Sequence, residues 1–579
     1  MRETGTRKIR LFFLFSLSVS LLFFPGRQAF SQNIPPGSEP GAQVERFRLE
    51  SEQRASELEK KEIKAPEIKV EDEGVKAPVK EGPSFVLKEV KVRNSTIFKP
   101  EDFQPVYAPY LGKKVTFKDL ESILEGIKAK YKGKGYLTTS AYLPDQEIRD
   151  GLVKIDIVEG KMGELKIEGN KWFSSDFIKK FIHSKKNELL NINSLQRDLL
   201  RINQNPDLEI RTLISAGTEP GTSDLTLKVE EFFPWHVGLG EDNQGSFLSG
   251  RWRTSVYLRG SNVTGQGDSV YWSSQFSSDA FGESLIYNIP IGTYGTTAGL
   301  DVTYYKMRLG KQYKANEIRG TSGIYTPRIS WELALREDFN ARLNLGMDIE
   351  VIKKTTGGTK TTDDQLVVPF FGFNFSKNDL YGQTTFGPRF NFSVPDILGA
   401  SSYNHASASR PSTGGFFFKY EHSAGRLQRM PWDSYLSIRS QFQVASHTLP
   451  SSEQLQLGGA YTIRGYPEGD YLCDMGGDVN FDWIMPMYLI PKDWKLPKAD
   501  MPLRNQVEWV IFSDVGGGDI RKVTSGESKH KFLAGVGGGL RLRLVKGSFL
   551  GLQWAKAIGE KPVGGLGPST FYFTFQLEK

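Results

Sequence analysis

The chain has 579 residues, with 38% hydrophobic and 12% aromatic side chains, 60 glycines and a formal net charge of +7. That length admits several domains, and many aromatics and glycines among few apolar residues suit a β-barrel, which needs apolar side chains on one face only. One cysteine, Cys473, excludes an intrachain disulfide framework, six scattered histidines form no metal-ligand cluster, and no aromatic-interleaved basic motif points to nucleic acid.

The N-terminus reads as a signal peptide over residues 1–31. Arg2, Arg7, Lys8 and Arg10 form a basic region, Leu11 to Phe24 an apolar core, and Ala29-Phe30-Ser31 a small-x-small cleavage site. No later stretch approaches the ~20 apolar residues of a transmembrane helix. An integral membrane protein with this sequence must therefore span as a closed barrel. Residues 32–62 are polar: Ser38 can cap, Pro40 lies in the first turn, and Val44 to Leu58 holds neither glycine nor proline, which predicts a helix. Its apolar stripe is thin (Val44, Phe47, Ala55, Leu58), and composition alone favours a solvated arm. A helix of about 22 residues would still be ~33 Å long, enough to cross a bilayer-spanning pore. Residues 63–83 mix Lys and Glu among three prolines and read as an extended linker.

Two small α/β units follow, over residues 84–160 and 161–232. In the first, Phe85 to Val92 reads as a strand, Phe117 to Tyr131 as a helix, and Tyr136 to Leu143 with Leu152 to Val158 as paired strands. The second begins with a strand at Gly163 to Glu168, continues with helical segments at Ser175 to His183 and Ser194 to Ile202, and ends with strands at Glu209 to Ser215 and Asp224 to Glu230. From residue 233 to 579 the period becomes two. Trp252, Thr254, Val256 and Leu258 alternate with Arg251, Arg253, Ser255, Tyr257 and Arg259, and the pattern recurs at Leu343 to Val351 and at Leu436 to Val444. Lone charges inside apolar strands fit a wet lumen on one side and lipid on the other. Because a charge at the lipid midplane costs ~2–4 kcal/mol, Arg251, Arg342 and Arg439 are expected to face the lumen. At about 22 residues per strand and connection, this region accommodates about 16 strands.

Near its end the region carries Leu457-Gly458-Gly459-Ala460-Tyr461-Thr462-Ile463-Arg464-Gly465-Tyr466 and then Phe512-Ser513-Asp514-Val515-Gly516. An arginine fork against a fixed carboxylate is a strong, directional tether for a loop. These segments resemble the paired VRGY and FxDxG signatures of outer-membrane translocators of the two-partner secretion (TpsB) family, the haemolysin/haemagglutinin activator type, with Ile463 in place of valine. The resemblance runs from about residue 40 to the end. Gly135-Tyr136-Leu137 through Leu143-Pro144-Asp145-Gln146 to Val158-Glu159-Gly160 is similar to the end of a POTRA domain. Asn203-Gln204-Asn205-Pro206 resembles the second such domain, and Asp242-Asn243-Gln244-Gly245-Ser246 with Asn262-Val263-Thr264-Gly265 resembles the family's first barrel strands. One departure is the terminus, where Phe571, Phe573, Phe575 and Leu577 alternate but Glu578-Lys579 replaces the usual final aromatic.

The resemblance implies a mainly β fold: an antiparallel transmembrane barrel of about 16 strands, two α/β POTRA domains and an N-terminal helix that plugs the lumen. It implies that the Arg464 loop folds back inside so that Arg464 meets Asp514 on the wall. Gly465 would allow the tight backbone, Tyr466 would pack beside it, and Phe512 and Gly516 would shape the receiving strand. The implied function is a pore in the Gram-negative outer membrane. It would recognise an unfolded partner through periplasmic POTRA domains and secrete it through the barrel without nucleotide hydrolysis. The implied partner is a large exoprotein of adhesin, haemagglutinin or haemolysin type, with outer-membrane lipids around the barrel and the barrel assembly machinery acting during biogenesis. The alternative is an assembly insertase of the same superfamily, whose members usually carry more POTRA domains and no plug helix. A passive porin explains neither the α/β units nor the paired motifs.

Enzymatic signatures do not appear: there is no H-E-x-x-H, G-x-S-x-G or P-loop spacing. Gly535-Val536-Gly537-Gly538-Gly539 runs into Leu540, Leu542 and Leu544 alternating with Arg541 and Arg543, which is a strand. It reads as a low-bulk stretch of lumen wall that leaves room for something to pass. No catalytic residue, cofactor or metal site is expected.

Overall fold

The C-terminal region closes on itself as an antiparallel barrel of sixteen strands in the computed structural model. The structure describes residues 35–59, 66–70, 84–402, 405–495, 502–524, 526–543, 548–563 and 567–579. The expected signal peptide and most of the expected linker lie outside these residues. The first barrel strand, Trp235–Asp242, pairs with the last, Ser569–Glu578, from Gly238 opposite Glu578 to Asp242 opposite Thr574. Glu578 therefore takes a place in the closing ladder despite not being aromatic. Among the described residues no helix is long and apolar enough to cross a membrane.

Strict alternation sorts the side chains. In the second strand, Arg253–Gly260, Arg253, Ser255, Tyr257 and Arg259 are buried inside, while Thr254, Val256 and Leu258 point outward. Arg439 is inside, paired with Asp482 at 3.4 Å, and Arg342 donates to Gln204 of the second α/β unit at 2.6 Å. Arg251 departs from expectation. It precedes the strand, in a turn closed by Gly245 N–H to the Arg251 carbonyl, and its guanidinium caps the carbonyls of Asn243 and Phe571. Gly250 at φ +121° turns the chain there, so the ladder starts two residues later and Arg253 takes the luminal place.

The end bearing the α/β units is the proximal end. Trp331, Trp483 and Trp509 lie on outward positions near it, together with Trp235 at the start of the first strand. Such aromatic girdles mark the membrane–water boundary of a spanning barrel.

The first α/β unit is a three-stranded sheet in the order Glu89–Arg93, Leu152–Val158, Ser140–Tyr142, covered by the helix Phe117–Gly133. Leu120, Ile123, Ile127 and Tyr131 present the buried helical stripe to Val153, Ile155 and Ile157. The predicted strands shorten in the structure. Phe85 to Val92 is interrupted after Val86, and only Ser140–Tyr142 of the second stretch pairs. Glu159 fastens the loop after the first sheet strand, accepting from the amides of Thr96 (2.8 Å) and Ile97 (3.1 Å) and from the Tyr131 hydroxyl (2.8 Å). Burial acts to raise this carboxyl, but the hydrogen bonds outweigh it and hold it below the usual carboxylate range. A carboxyl with a depressed folded pKa contributes stability that is complete above its unfolded value, about 4.3, and is lost as pH falls through the lower folded value. Amide exchange in residues 84–160 of the full-length protein should therefore accelerate as pH falls below about 4.3, beyond the intrinsic pH dependence of exchange. Glu159→Gln should raise exchange at neutral pH and flatten that acid dependence. An unchanged acid response in the variant would remove Glu159 as its source.

The second unit holds four strands in the order Ile68–Val70, Leu208–Ala216, Thr222–Glu231, Lys161–Glu168. Its helices are Ser175–Phe181, capped by Ser174, and Ile192–Ile202, capped by Asn191. The outermost strand comes from the expected linker: Ile68 to Val70 run parallel to Thr212 to Ile214, and Ile68 packs on the unit's core. One sheet edge is thus covered by the chain's own N-terminal segment. Polar contacts seat this unit on the proximal rim, where Arg201 pairs with Glu332 at 2.9 Å and Arg259 with Asp207 at 3.2 Å, and Asn205 donates to the Ser261 carbonyl.

Candidate functional site

Two segments enter the barrel. The first is the helix Pro40–Glu59, whose first half lies against the fourth to seventh strands and whose second half reaches the second and third. Val44 and Phe47 pack with Tyr305 and Met307, and Ala55 and Leu58 with Tyr257 and Tyr271, so the thin apolar stripe finds a matching wall. Glycine makes room at one close approach: a Cβ on Gly320 would come within 2.5 Å of the Pro40 ring. Charged residues fix the rest. Lys354 reaches Glu39 at 2.7 Å at the distal end, Arg253 bridges Glu50 at 2.9 Å and Asp242 at 2.8 Å, and Ser269 holds Glu59 at the proximal end. Composition alone favours a solvated arm; a lumen wall carrying its own charges gives partners to Glu39, Glu50 and Glu59 of a polar helix.

The helix does not fill the bore. A cavity of about 1900 Å³ remains beside it, lined by Arg48 and Glu52 of the helix, by Arg389, Glu421 and Arg439 of the wall, and by Gln204 of the second α/β unit.

The second segment is the loop between the eleventh strand, Ser434–Ala445, and the twelfth, Met475–Pro486. Its stem is a short hairpin in which Leu455 to Leu457 pair with Cys473 to Tyr471. Cys473 is buried and its sulfur meets Gly476 and Gly518, where any Cβ would come within 2.8 and 2.4 Å, so it acts as a small packing residue. From the hairpin the chain turns inward and lays Arg464 on the thirteenth strand, Val507–Asp519.

Arg464 is 3% exposed. Its Nε donates to Asp514 Oδ2 at 2.7 Å, its Nη2 to Asp514 Oδ1 at 2.6 Å, and its backbone N–H to the same carboxylate at 3.0 Å. Nη2 also reaches Asp482 Oδ1 at 2.5 Å on the neighbouring twelfth strand. Asn480, directly opposite Asp514 in the ladder, donates to Asp514 at 3.1 Å and to the Thr462 carbonyl. The guanidinium lies over the Phe512 ring, 3.6 Å from its centroid. Gly516 is bare where the Ile463 side chain lands, since a Cβ would come within 2.7 Å of it. Gly465 takes φ +99°, its N–H donates to the Tyr572 hydroxyl at 3.1 Å, and the buried Tyr466 ring packs with Ile463 and Leu533.

The structure brings together Arg464, Gly465, Tyr466, Phe512, Asp514 and Gly516 in one buried cluster. It adds three residues that the motifs do not name: Asp482, Asn480 and Tyr572. The signal for two of them was present, since Asn480 and Asp482 sit two apart among apolar outward residues. Their partner strand could not be read from spacing. Gly535 has a different role from the expected one. A Cβ there would meet the Arg464 carbonyl at 1.9 Å, so the bare wall receives the loop backbone.

The loop also touches the helix and the turn that precedes it. Gly37 N–H donates to the Gly469 carbonyl at 2.9 Å, Gln456 to the Ala42 carbonyl at 2.6 Å, and Arg46 faces Glu468 at 3.4 Å.

Comparison with known proteins agrees with this architecture. The family model described as POTRA domain, ShlB-type, matches residues 85–160. The one described as haemolysin secretion/activation protein ShlB/FhaC/HecB matches residues 221–542. The heme/hemopexin transporter protein HuxB of Haemophilus influenzae is 25% identical over 493 residues, 81% of this chain and 84% of that relative. The outer membrane transporter CdiB of Dickeya dadantii is 25% identical over 469 residues, 76% of this chain and 79% of its own. The solved structure of CdiB from Escherichia coli superposes with a TM-score of 0.68 at 18% identity, over 95% of this chain and all (100%) of that one.

Proposed function

This chain belongs to the haemolysin secretion/activation protein family ShlB/FhaC/HecB, and from that premise we propose that it exports an unfolded exoprotein through its own barrel, with the helix and the Arg464 loop as movable occupants of the path. The chain is an outer-membrane transporter whose α/β part lies in the periplasm. The proximal end is then periplasmic and the distal end extracellular. The observation that carries the proposal is the seating of the helix: a polar, ion-paired stopper beside a cavity of about 1900 Å³ continuous with the periplasmic unit. An apolar plug would be held as a core, whereas ion pairs of this kind hold with little net energy, because the charges regain their hydration when the helix leaves.

Recognition is assigned to the POTRA sheets. An extended client can add to a sheet edge, taking affinity from main-chain hydrogen bonds and demanding no unique sequence. The linker strand Ile68–Val70 covers one edge of the second unit, and the strand Ser140–Tyr142 forms an edge of the first that is uncovered among the described residues. Tyr142 is exposed there. The arginine cluster acts as the loop's tether, with Phe512 and Gly516 as its seat. The client is proposed as a large adhesin-, haemagglutinin- or haemolysin-like protein, and its folding outside supplies the direction of movement.

Proteoliposomes holding only this protein test the reading. Unfolded partner exoprotein added on the POTRA side should become protected from protease inside the vesicle without nucleotide, and a photo-crosslinker at Tyr142 should capture it on the way. A strict requirement for ATP would overturn the nucleotide-independent mechanism. Transport with no crosslink at Tyr142 would move recognition away from this edge.

A further inference from the structure

The second α/β unit and the short link from it to the barrel carry an exposed aromatic pair that no part of the transport path uses. Trp172 and Phe233 are 52% and 56% exposed, yet their rings meet edge to face with centroids 5.2 Å apart. The arrangement is built. The Glu231 carboxylate accepts from the three successive amides of Lys171 (2.8 Å), Trp172 (2.5 Å) and Phe173 (3.2 Å), locking the loop that presents Trp172 to the strand end that presents Phe233. Asn262, in the periplasmic turn between the second and third barrel strands, donates to the Trp172 carbonyl at 3.0 Å and fixes the pair against the barrel rim.

The first α/β unit supplies an internal comparison. There Glu159 clasps the corresponding loop amides of Thr96 and Ile97. The residue in the place of Trp172 is Ile97, which packs back onto that unit's own core. The same clasp thus displays an outward tryptophan only in the unit that touches the barrel.

Position decides what the pair faces. Phe233 lies two residues before Trp235, and Trp235, Val237 and Leu239 form the outward stripe of the first barrel strand. Trp235 belongs to the periplasmic aromatic girdle, so Trp172, Phe233 and the exposed Val263 continue the lipid-facing surface onto the soluble unit. Indole and phenyl rings favour the headgroup–acyl boundary, where one end is apolar and the other wet. The exposed Lys171 beside them suits lipid phosphate.

We propose that Trp172 and Phe233 form a membrane foot that sits in the periplasmic leaflet beside the first barrel strands and holds the second α/β unit under the pore. The occupant is phospholipid. The foot adds to the rim contacts of Arg201 and Asp207 and keeps the unit's sheet close to the entrance while the client passes.

Spin labels test this in full-length protein carrying Cys473→Ser, reconstituted in phosphatidylethanolamine–phosphatidylglycerol vesicles. Labels at Trp172→Cys and Phe233→Cys should collide more with dissolved oxygen than with an aqueous nickel chelate, as a label at Val237→Cys does; one at Tyr142→Cys should show the reverse. Glu231→Gln should loosen the label at 172 and leave the barrel folded, which separates a positioned foot from a merely exposed loop. Should the labelled variants fail to fold, brominated-lipid quenching can read the unlabelled protein, where the difference between wild type and Trp172→Phe reports Trp172 alone. Water-like accessibility at both positions overturns the proposal. Shielding from both reagents with label–label coupling between molecules would also overturn it, in favour of a second copy of this chain.

Discussion

Arg464→Ala should abolish measurable export while the barrel still inserts and remains heat-modifiable. The guanidinium serves two carboxylates on adjacent strands, Asp514 and Asp482, and both are almost wholly buried. Removing it leaves two like charges side by side: Asp514 loses its cation and Asp482 keeps only the longer contacts to Arg439 and Arg541. Stranding one buried charge costs ~3–5 kcal/mol. A deficit of that size would reduce the docked-loop population by more than about a hundredfold. Asp514→Ala should be nearly as severe, because it strands Arg464 with Asp482 alone and removes the acceptor of the Arg464 amide. Asp482→Ala should be milder. In a double-mutant cycle, Arg464→Ala with Asp514→Ala should be little worse than Arg464→Ala alone, since the second change removes a carboxylate whose cation is already gone. Arg464→Lys should also fail substantially: an ammonium keeps the charge but cannot hold two oxygens of Asp514 and one of Asp482 in a plane while stacking on Phe512. Export at wild-type level from Arg464→Lys, or losses that multiply in the cycle, would show that the residues act separately.

The tether also shows what one sequence exposes and what it hides. Alternation reveals which face of a strand is wet, because lipid tolerates no lone arginine; this placed Arg439 and the inward face of the second strand. It could not locate where that strand begins, since the choice between Arg251 and Arg253 rests on a glycine turn at Gly250 and on hydrogen bonds to Phe571, far away in sequence. The motifs marked Arg464 and Asp514 because their spacing is local. Asp482 joins them only through the pairing of the twelfth and thirteenth strands, and Tyr572 through the closing strands. Gly535 looked like free space along the lumen because a missing side chain cannot say what fills the gap. The parallel strand Ile68–Val70 was equally invisible. Three residues among lysines and prolines carry no period, and their partner lies beyond the whole first α/β unit, within the second.

The same short strand shapes the last expectation, which concerns the plug. The helix can leave only toward the periplasm, since its Glu59 end already lies there and the chain continues to Ile68–Val70 on the second unit. Burial of Val44 and Phe47 contributes about 1.5–3 kcal/mol each. The luminal ion pairs add modest net amounts because the desolvation of buried partners such as Arg253 and Glu50 offsets their attraction. Such a helix would dissociate readily as a free peptide, but the short connection to an anchored strand keeps its local concentration high and returns it to the bore. Wild-type channels in planar bilayers should therefore be closed or of small conductance with rare, brief openings. Deleting residues 36–59 should give a several-fold larger, steady conductance from a barrel that remains folded. Phe47→Asp with Val44→Asp should leave the helix attached but weaken its seat, giving frequent transitions between the small and large levels. Disrupting Ile68–Val70 with proline should lengthen each opening without enlarging it, because the path back becomes longer while the bore is unchanged. If the deletion leaves conductance at the wild-type level, the cavity beside the helix already sets the bore, and the helix is a wall element of the pore and not its stopper.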